Sequence, residues 1–140
     1  MTAVPDTPDL YTSQRCEQLR GRYLIDCAGV RFQVHARNLA TVLRIGGEID
    51  ASNVNPVAQA IRRLSQLKAP LILDFSHLDF LGVAGFRALL TLNHEYQQAE
   101  LHCIVVTGAV MRPLTRVFPD HGLLIVDSIP EALRLMERAS

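Results

Sequence analysis

Two short runs, Leu71-Ile-Leu-Asp-Phe75 and Cys103-Ile-Val-Val-Thr107, carry apolar residues at nearly every position instead of every second one. A strand that is apolar on both sides must be covered on both sides, and that is the situation of strands in the parallel sheets of α/β domains. The runs therefore demand helices around them. Between Ser52 and Pro70 the hydrophobic period changes from two to 3.6. Val54, Val57, Ala58, Ile61, Leu64 and Leu67 mark one face of a helix, and Gln59, Arg62, Arg63 and Gln66 mark the other. Asn55 followed by Pro56 reads as its start, and Pro70 stops it. A second helix follows the turn at Gly82 and runs through Phe86, Leu89, Leu90 and Leu92 to about Gln97. A short third helix spans Val110 to Phe118, with Pro113 tolerated in its first turn. After a last strand, Leu123-Leu-Ile-Val126, the segment Ser128-Ile-Pro-Glu131 reads as a capping box. It opens a helix with Ile129, Ala132, Leu133 and Met136 on one face.

Upstream, Arg31-Phe-Gln-Val-His35 alternates polar and apolar residues, and Ala40-Thr-Val-Leu-Arg-Ile45 is a strand-like run ending at Gly46-Gly47. Asn38 suits the turn of an antiparallel hairpin between them. The expected fold is α/β: one domain with a mixed, mostly parallel sheet of about five strands flanked by about four helices, opening with a β-hairpin. Residues 1–21, with Pro5 and Pro8, read as a poorly ordered arm with room for one helical turn, and residues 22–140 as the domain.

The 14 Lys and Arg residues balance the 14 Asp and Glu residues, so the formal net charge is zero. That balance argues against broad electrostatic attachment to nucleic acid or to an anionic membrane. All the cations but Lys68 are Arg, so a titratable lysine nucleophile has one candidate. No apolar run approaches the ~18 to 20 residues of a membrane helix, and the start lacks the basic and apolar regions of a signal peptide, which points to the cytoplasm. Cys16, Cys27 and Cys103 form no C-x-x-C pair and no zinc spacing, so they read as reduced structural thiols. A redox role for two of them depends on the fold bringing them together.

Catalytic signatures are absent: there is no phosphate loop, dinucleotide turn, nucleophile elbow or H-E-x-x-H. Two polar clusters remain. Asp74, His77 and Asp79 follow a strand, where α/β proteins place ligands, and could hold a metal or move a proton. Glu48 and Asp50, after the glycines, could be acid/base partners or part of a surface that another protein reads. His102 and Cys103 are adjacent, so a regular strand would point them to opposite faces.

Three stretches in order resemble the STAS domain, the family of anti-sigma factor antagonists. Thr41-Val-Leu-Arg-Ile-Gly-Gly-Glu-Ile-Asp50 is similar to the family's strand followed by G-E-[LI]-D. Leu71 to Gly85, ending Phe-Leu-Gly-Val-Ala-Gly, is similar to its strand, loop and D-S-[SA]-G turn into the second helix. Ile129-Pro-Glu-Ala-Leu133 closes the match, which covers about Arg31 to Glu137. The resemblance implies a non-enzymatic module without cofactor or metal. Such a module binds an anti-sigma factor that is also a kinase and so releases a sigma factor. The kinase phosphorylates a Ser at the start of the second helix, and the added charge weakens the complex.

This chain departs from the pattern at that place. Gly82 stands at the family's Asp, Val83 at the phosphorylated Ser and Ala84 at the next residue, and only Gly85 keeps its type. The family switch cannot operate at Val83. Three readings stay open: a constitutive antagonist; regulation elsewhere, through Ser52, Ser76, Thr91 or Cys103 pairing with a cysteine of the arm; or a STAS subunit of a stress-signalling or transporter complex. A small-ligand or enzymatic domain using Asp74, His77 and Asp79 is the competing class. The expected partner surface comprises Glu48, Asp50, Ser52, Asn53, Gly82, Val83, Ala84, Gly85 and Phe86. The expected partner is an anti-sigma factor or related regulator, with no direct nucleic acid contact and no membrane insertion, and a homodimer is compatible with the sequence.

Overall fold

The structure, a computed structural model, describes residues 14–19, 22–65 and 68–139. Within them the chain forms β1 (Gln14–Leu19), β2 (Arg22–Cys27), β3 (Val30–Ala36), β4 (Thr41–Ile49), α1 (Val54–Ser65), β5 (Leu71–Asp74), β6 (Leu78–Leu81), α2 (Val83–Gln98), β7 (Cys103–Val106), α3 (Arg112–Val117), β8 (Leu124–Val126) and α4 (Ile129–Ala139). The sheet runs in the order β1-β2-β3-β4-β5-β7-β8, with β6 also paired to β4. β1 to β4 are an antiparallel meander, and β4-β5, β5-β7 and β7-β8 are parallel.

The expected hairpin is β3-β4, whose register sets Phe32 opposite Ile45 and Val34 opposite Leu43. β3 alternates cleanly, with Val30, Phe32 and Val34 buried and Arg31 and Gln33 exposed. β5 and β7 are buried at every position, as their unbroken apolar character requires. Leu71 and Leu73 join Phe32, Phe86 and Tyr96 in the larger core, under α1, α2 and α3. Ile72, Ile104, Val106 and Val126 face the other way, against Ala132 and Met136 of α4. Arg62 of α1 and Glu95 of α2 form a two-pronged pair, with both N···O distances 3.0 Å.

Several elements differ from expectation. Residues 14–19 are a strand paired with β2 and not a helical turn in an arm, while residues 1–13 and 20–21 lie outside the described ones. β2 and β6 complete the sheet beyond the expected strands. β6 is the least readable of them because Leu78 and Leu81 are buried while Asp79 and Phe80 are exposed, a pattern without two-residue alternation. α1 begins at Val54, so Asn53 precedes the helix, its carbonyl accepting from the Val57 amide at 3.1 Å, and Asn55 lies in the first turn. At α4 the Ser128 hydroxyl accepts from the Glu131 amide at 3.2 Å, as a capping box requires. Glu131 reaches one residue further back, to the Asp127 amide at 3.2 Å.

Candidate partner-binding surface

β4 is longer than the strand beside it, and this builds the surface. Its first half pairs with β5, and its last residues pair with β6, setting Glu48 beside Phe80 and Ile49 beside Leu81. The pairing is irregular at Gly47 and Glu48. Gly47 has φ +112, and a Cβ there would stand 2.8 Å from the carbonyl oxygen of Gly29. Only a residue without a side chain allows the β2-β3 turn to approach β4 so closely.

Past β4 the chain turns on Asp50 and Asn53. The Asp50 carboxylate accepts from the Ser52 amide at 2.8 Å and from the Ser52 hydroxyl. Asn53 Oδ1 accepts from the Asp50 amide at 2.9 Å, and its Nδ2 donates to the carbonyls of Glu48 at 2.7 Å and Ala28 at 3.2 Å. One amide side chain thus fastens the end of β4, the loop and the β2-β3 turn. The hydrogen bonds from Ser52 lower the Asp50 pKa, against a smaller desolvation effect. Asp50 is therefore a fixed negative charge near neutral pH and ill suited to act as a general acid.

The start of α2 lies against this loop. The Gly82 amide donates to the Ile49 carbonyl at 2.9 Å, and a Cβ on Gly82 would stand 3.7 Å from Asp50 Cα and 3.3 Å from the Phe80 ring. α2 begins with no side-chain cap. Phe80 and Val83 are 48% and 46% exposed, two of the four large hydrophobic side chains exposed among the described residues, the others being Val117 and Leu124. Exposed Phe80 and Val83 thus flank this start of α2, with exposed Glu48 paired beside Phe80 and half-buried Asp50 next to Gly82.

The expected site residues divide accordingly. Glu48, Asp50, Ser52, Asn53, Gly82, Val83 and Ala84 come together at this end of β4 and α2. Gly85 and Phe86 do not reach the surface. Phe86 is fully buried, its ring stacked on Phe118 at 5.5 Å between centroids, because its place in the first turn of α2 faces the sheet. Gly85 is where α2 meets the sheet most tightly: a Cβ would stand 2.6 Å from Leu81 Cδ1 and 2.9 Å from Ile49 Cγ2. Both shape the surface from beneath. Phe80 is not among the expected residues, and its only signal in the sequence is an aromatic residue two positions before a helix-starting glycine.

Of the other candidates, Asp74 is held in the fold, and His77 and Asp79 are exposed. Asp74 is 3% exposed; its carboxylate accepts from the Ser76 amide at 2.9 Å and lies 3.7 Å from Arg44 Nε. His77 is exposed with Nδ1 3.1 Å from the Ser76 hydroxyl, and Asp79 is exposed on β6. Among the described residues no group of three His, Cys, Asp or Glu is placed to hold a metal ion. Cys103 is buried, and desolvation pushes its thiol up to about 12, so it stays protonated and unreactive at neutral pH. The side chain of Cys16 lies outside the described ones, and with it the expected pairing of Cys103 with the arm. Of the alternative hydroxyls, Thr91 is on the middle of α2, donating to the Arg87 carbonyl at 3.2 Å, and Ser76 is on the β5-β6 turn. Ser52 is in the loop with Asp50, bonded to its carboxylate. No helix among the described residues is long and apolar enough to cross a membrane.

Comparison with known proteins agrees with this architecture. Osmosensory protein A of Mycobacterium tuberculosis is 34% identical over 95 residues, which are 67% of this chain and 60% of that protein, so the chain spans less than two thirds of that relative. The anti-sigma-F factor antagonist RsfB of the same species is 29% identical over 98 residues, 69% of this chain and 80% of RsfB. The crystal structure of an anti-sigma factor antagonist from Mycobacterium paratuberculosis superposes with a TM-score of 0.66 at 22% identity, over 77% of this chain and 94% of that one, a likeness of fold. Residues 30–117 match the model of the STAS domain, from the hairpin that carries β4 to the end of α3. With that span covering both halves of the surface, the chain belongs to the STAS domain family.

Proposed function

We infer that this chain is a regulatory protein-binding module of the anti-sigma factor antagonist type. It engages an anti-sigma factor through the surface made by Glu48, Asp50, Ser52, Asn53, Gly82, Val83 and Ala84, together with Phe80. The observation that carries the reading is the juxtaposition of exposed Phe80 and Val83 with an ionised carboxylate loop. A dry apolar centre with a charged rim is the usual anatomy of a protein–protein contact. The likeness to RsfB and to the Mycobacterium paratuberculosis antagonist supports the partner class. The reading assigns no reaction to the chain itself and places it in the cytoplasm.

Val83 gives the proposal its particular form. Where the family pattern has a hydroxyl for phosphate control, this chain presents an apolar side chain with no oxygen to modify. Binding is therefore constitutive with respect to that position. A second reading, a subunit of a stress-signalling assembly, is favoured by the likeness to osmosensory protein A. A pull-down with purified kinase-type anti-sigma factors separates the two. Capture that survives incubation of the complex with ATP supports a constitutive antagonist, and failure of every one to bind a folded bait removes the antagonist reading.

A further inference from the structure

The sheet face opposite α1, α2 and α3 is covered by α4 only over its parallel half, where Ile72, Ile104, Val106 and Val126 are buried. Over β2, β3 and the middle of β4 no helix among the described residues covers that face. A concavity of about 450 Å³ opens there, with the β5-β6 turn at His77 as one wall. Exposed Asp26, Arg31, Gln33 and Arg44 line it.

Its geometry brings two guanidinium groups to one place. Arg31 is opposite Gly46 and Gln33 opposite Arg44 in the β3-β4 register, so Arg31 and Arg44 are diagonal neighbours on one face. Gly46 leaves room for Arg31 to lie across β4: Arg31 Nη2 is 3.7 Å from where a Gly46 Cβ would stand, with the His77 carbonyl oxygen 3.8 Å from the same point. Among the described residues Arg31 has no hydrogen-bond or ion-pair partner. The Arg44 side chain is 48% exposed, and its Nε forms a salt bridge with the buried Asp74 carboxylate at 3.7 Å, too long for a hydrogen bond. The planar forks of two neighbouring Arg side chains suit carboxylate and phosphate. The volume is that of a small-molecule site and not of a single ion.

Asp26 restricts the ligand further. It lines the same concavity and is paired with Arg31 across β2 and β3. Its carboxylate repels a second negative group and accepts a hydrogen bond from a hydroxyl. We propose that this face binds a small organic anion with one phosphate or carboxylate head and a hydroxyl-bearing body, the head held by Arg31 and Arg44 and the body reaching Asp26. β4 carries both this site, at Arg44 to Gly46, and the partner surface, at Glu48 and beyond. The site stands on its own observations and does not require the antagonist reading.

The test is an amide NMR titration of the full chain at constant ionic strength with glycerol 3-phosphate, inorganic phosphate and, as control, sodium chloride. Saturable shifts at Arg31, Gln33, Gly46 and His77 are expected, tighter for glycerol 3-phosphate than for phosphate. At least a tenfold loss of affinity is expected in Arg31→Gln, a change at an exposed side chain. Shifts that grow linearly and match chloride, or equal affinity in Arg31→Gln, would overturn the site. Phosphate binding as tightly as glycerol 3-phosphate would overturn the role given to Asp26.

Discussion

The amide of Gly82 donates to the carbonyl of Ile49 at 2.9 Å, so the residue that starts α2 is bonded to the last residue of β4. This one bond joins the two halves of the proposed partner surface, which are about thirty positions apart in the chain. The surface is therefore only as well ordered as the loop behind it, and Asn53 holds that loop.

Asn53→Ala removes three hydrogen bonds, to the Asp50 amide and to the Glu48 and Ala28 carbonyls. At about 0.5 to 1.5 kcal/mol for each net bond, and with the loop partly open to water, a loss of roughly 1 to 3 kcal/mol is expected in urea unfolding. Asn53→Asp keeps the acceptor but leaves two carbonyls without their donor. It should recover only part of that loss.

Gly47→Ala tests the approach of the β2-β3 turn to β4. The new Cβ would meet the Gly29 carbonyl at 2.8 Å, and φ +112 is unfavourable for alanine. Destabilisation of about 2 to 4 kcal/mol follows from backbone strain and crowding together. The same change at Gly29, whose Cβ would meet nothing within 4 Å, should cost less, since only its positive φ opposes it. Equal unfolding midpoints for the two variants would contradict the close approach.

How much of this could be read in the chain itself follows from the kind of pattern each element carries. β5 and β7 are continuous apolar runs, and α1 and α4 have one buried face each, so their periods announce them. β6 has no such period, because its residues are placed by pairing with the overhanging end of β4. The two motifs of the proposed partner surface are legible in the chain, and their meeting is not, since it depends on the Gly82 to Ile49 bond. Phe86 shows the limit of reading a site from a contiguous motif: a helix turns away from the surface within one turn of its start, and Phe86 goes with it into the core.

Asp50 gives the loop a dependence on pH. Its pKa is lowered by the hydrogen bonds from Ser52, so its folded value is below its unfolded one. Its contribution is fully present above the unfolded pKa and is lost as the pH falls through the depressed folded value. An NMR titration of the Asp50 carboxyl should show a midpoint below the ordinary aspartate range. In Ser52→Ala, which removes the hydroxyl donor, that midpoint should rise towards the ordinary range.

Cys103 should behave as a core residue. With its thiol pushed up to about 12 by burial, it is protonated at pH 8. In a Cys16→Ser variant, a thiol reagent at that pH is expected to react with Cys27 and Cys103 only as the chain unfolds, because both are buried. Rapid modification of Cys103 in the folded chain would return a redox role to consideration.

The central claim is that Val83 sits in the contact with the partner and leaves it free of phosphate control. Calorimetric titration of a kinase-type anti-sigma factor into the chain and into Val83→Asp tests it most directly. Val83 is an exposed side chain, so both proteins should unfold within about 0.5 kcal/mol of one another. The account predicts that the chain binds and that Val83→Asp binds at least tenfold more weakly, about 1.4 kcal/mol. Equal affinity of the two folded proteins would contradict it.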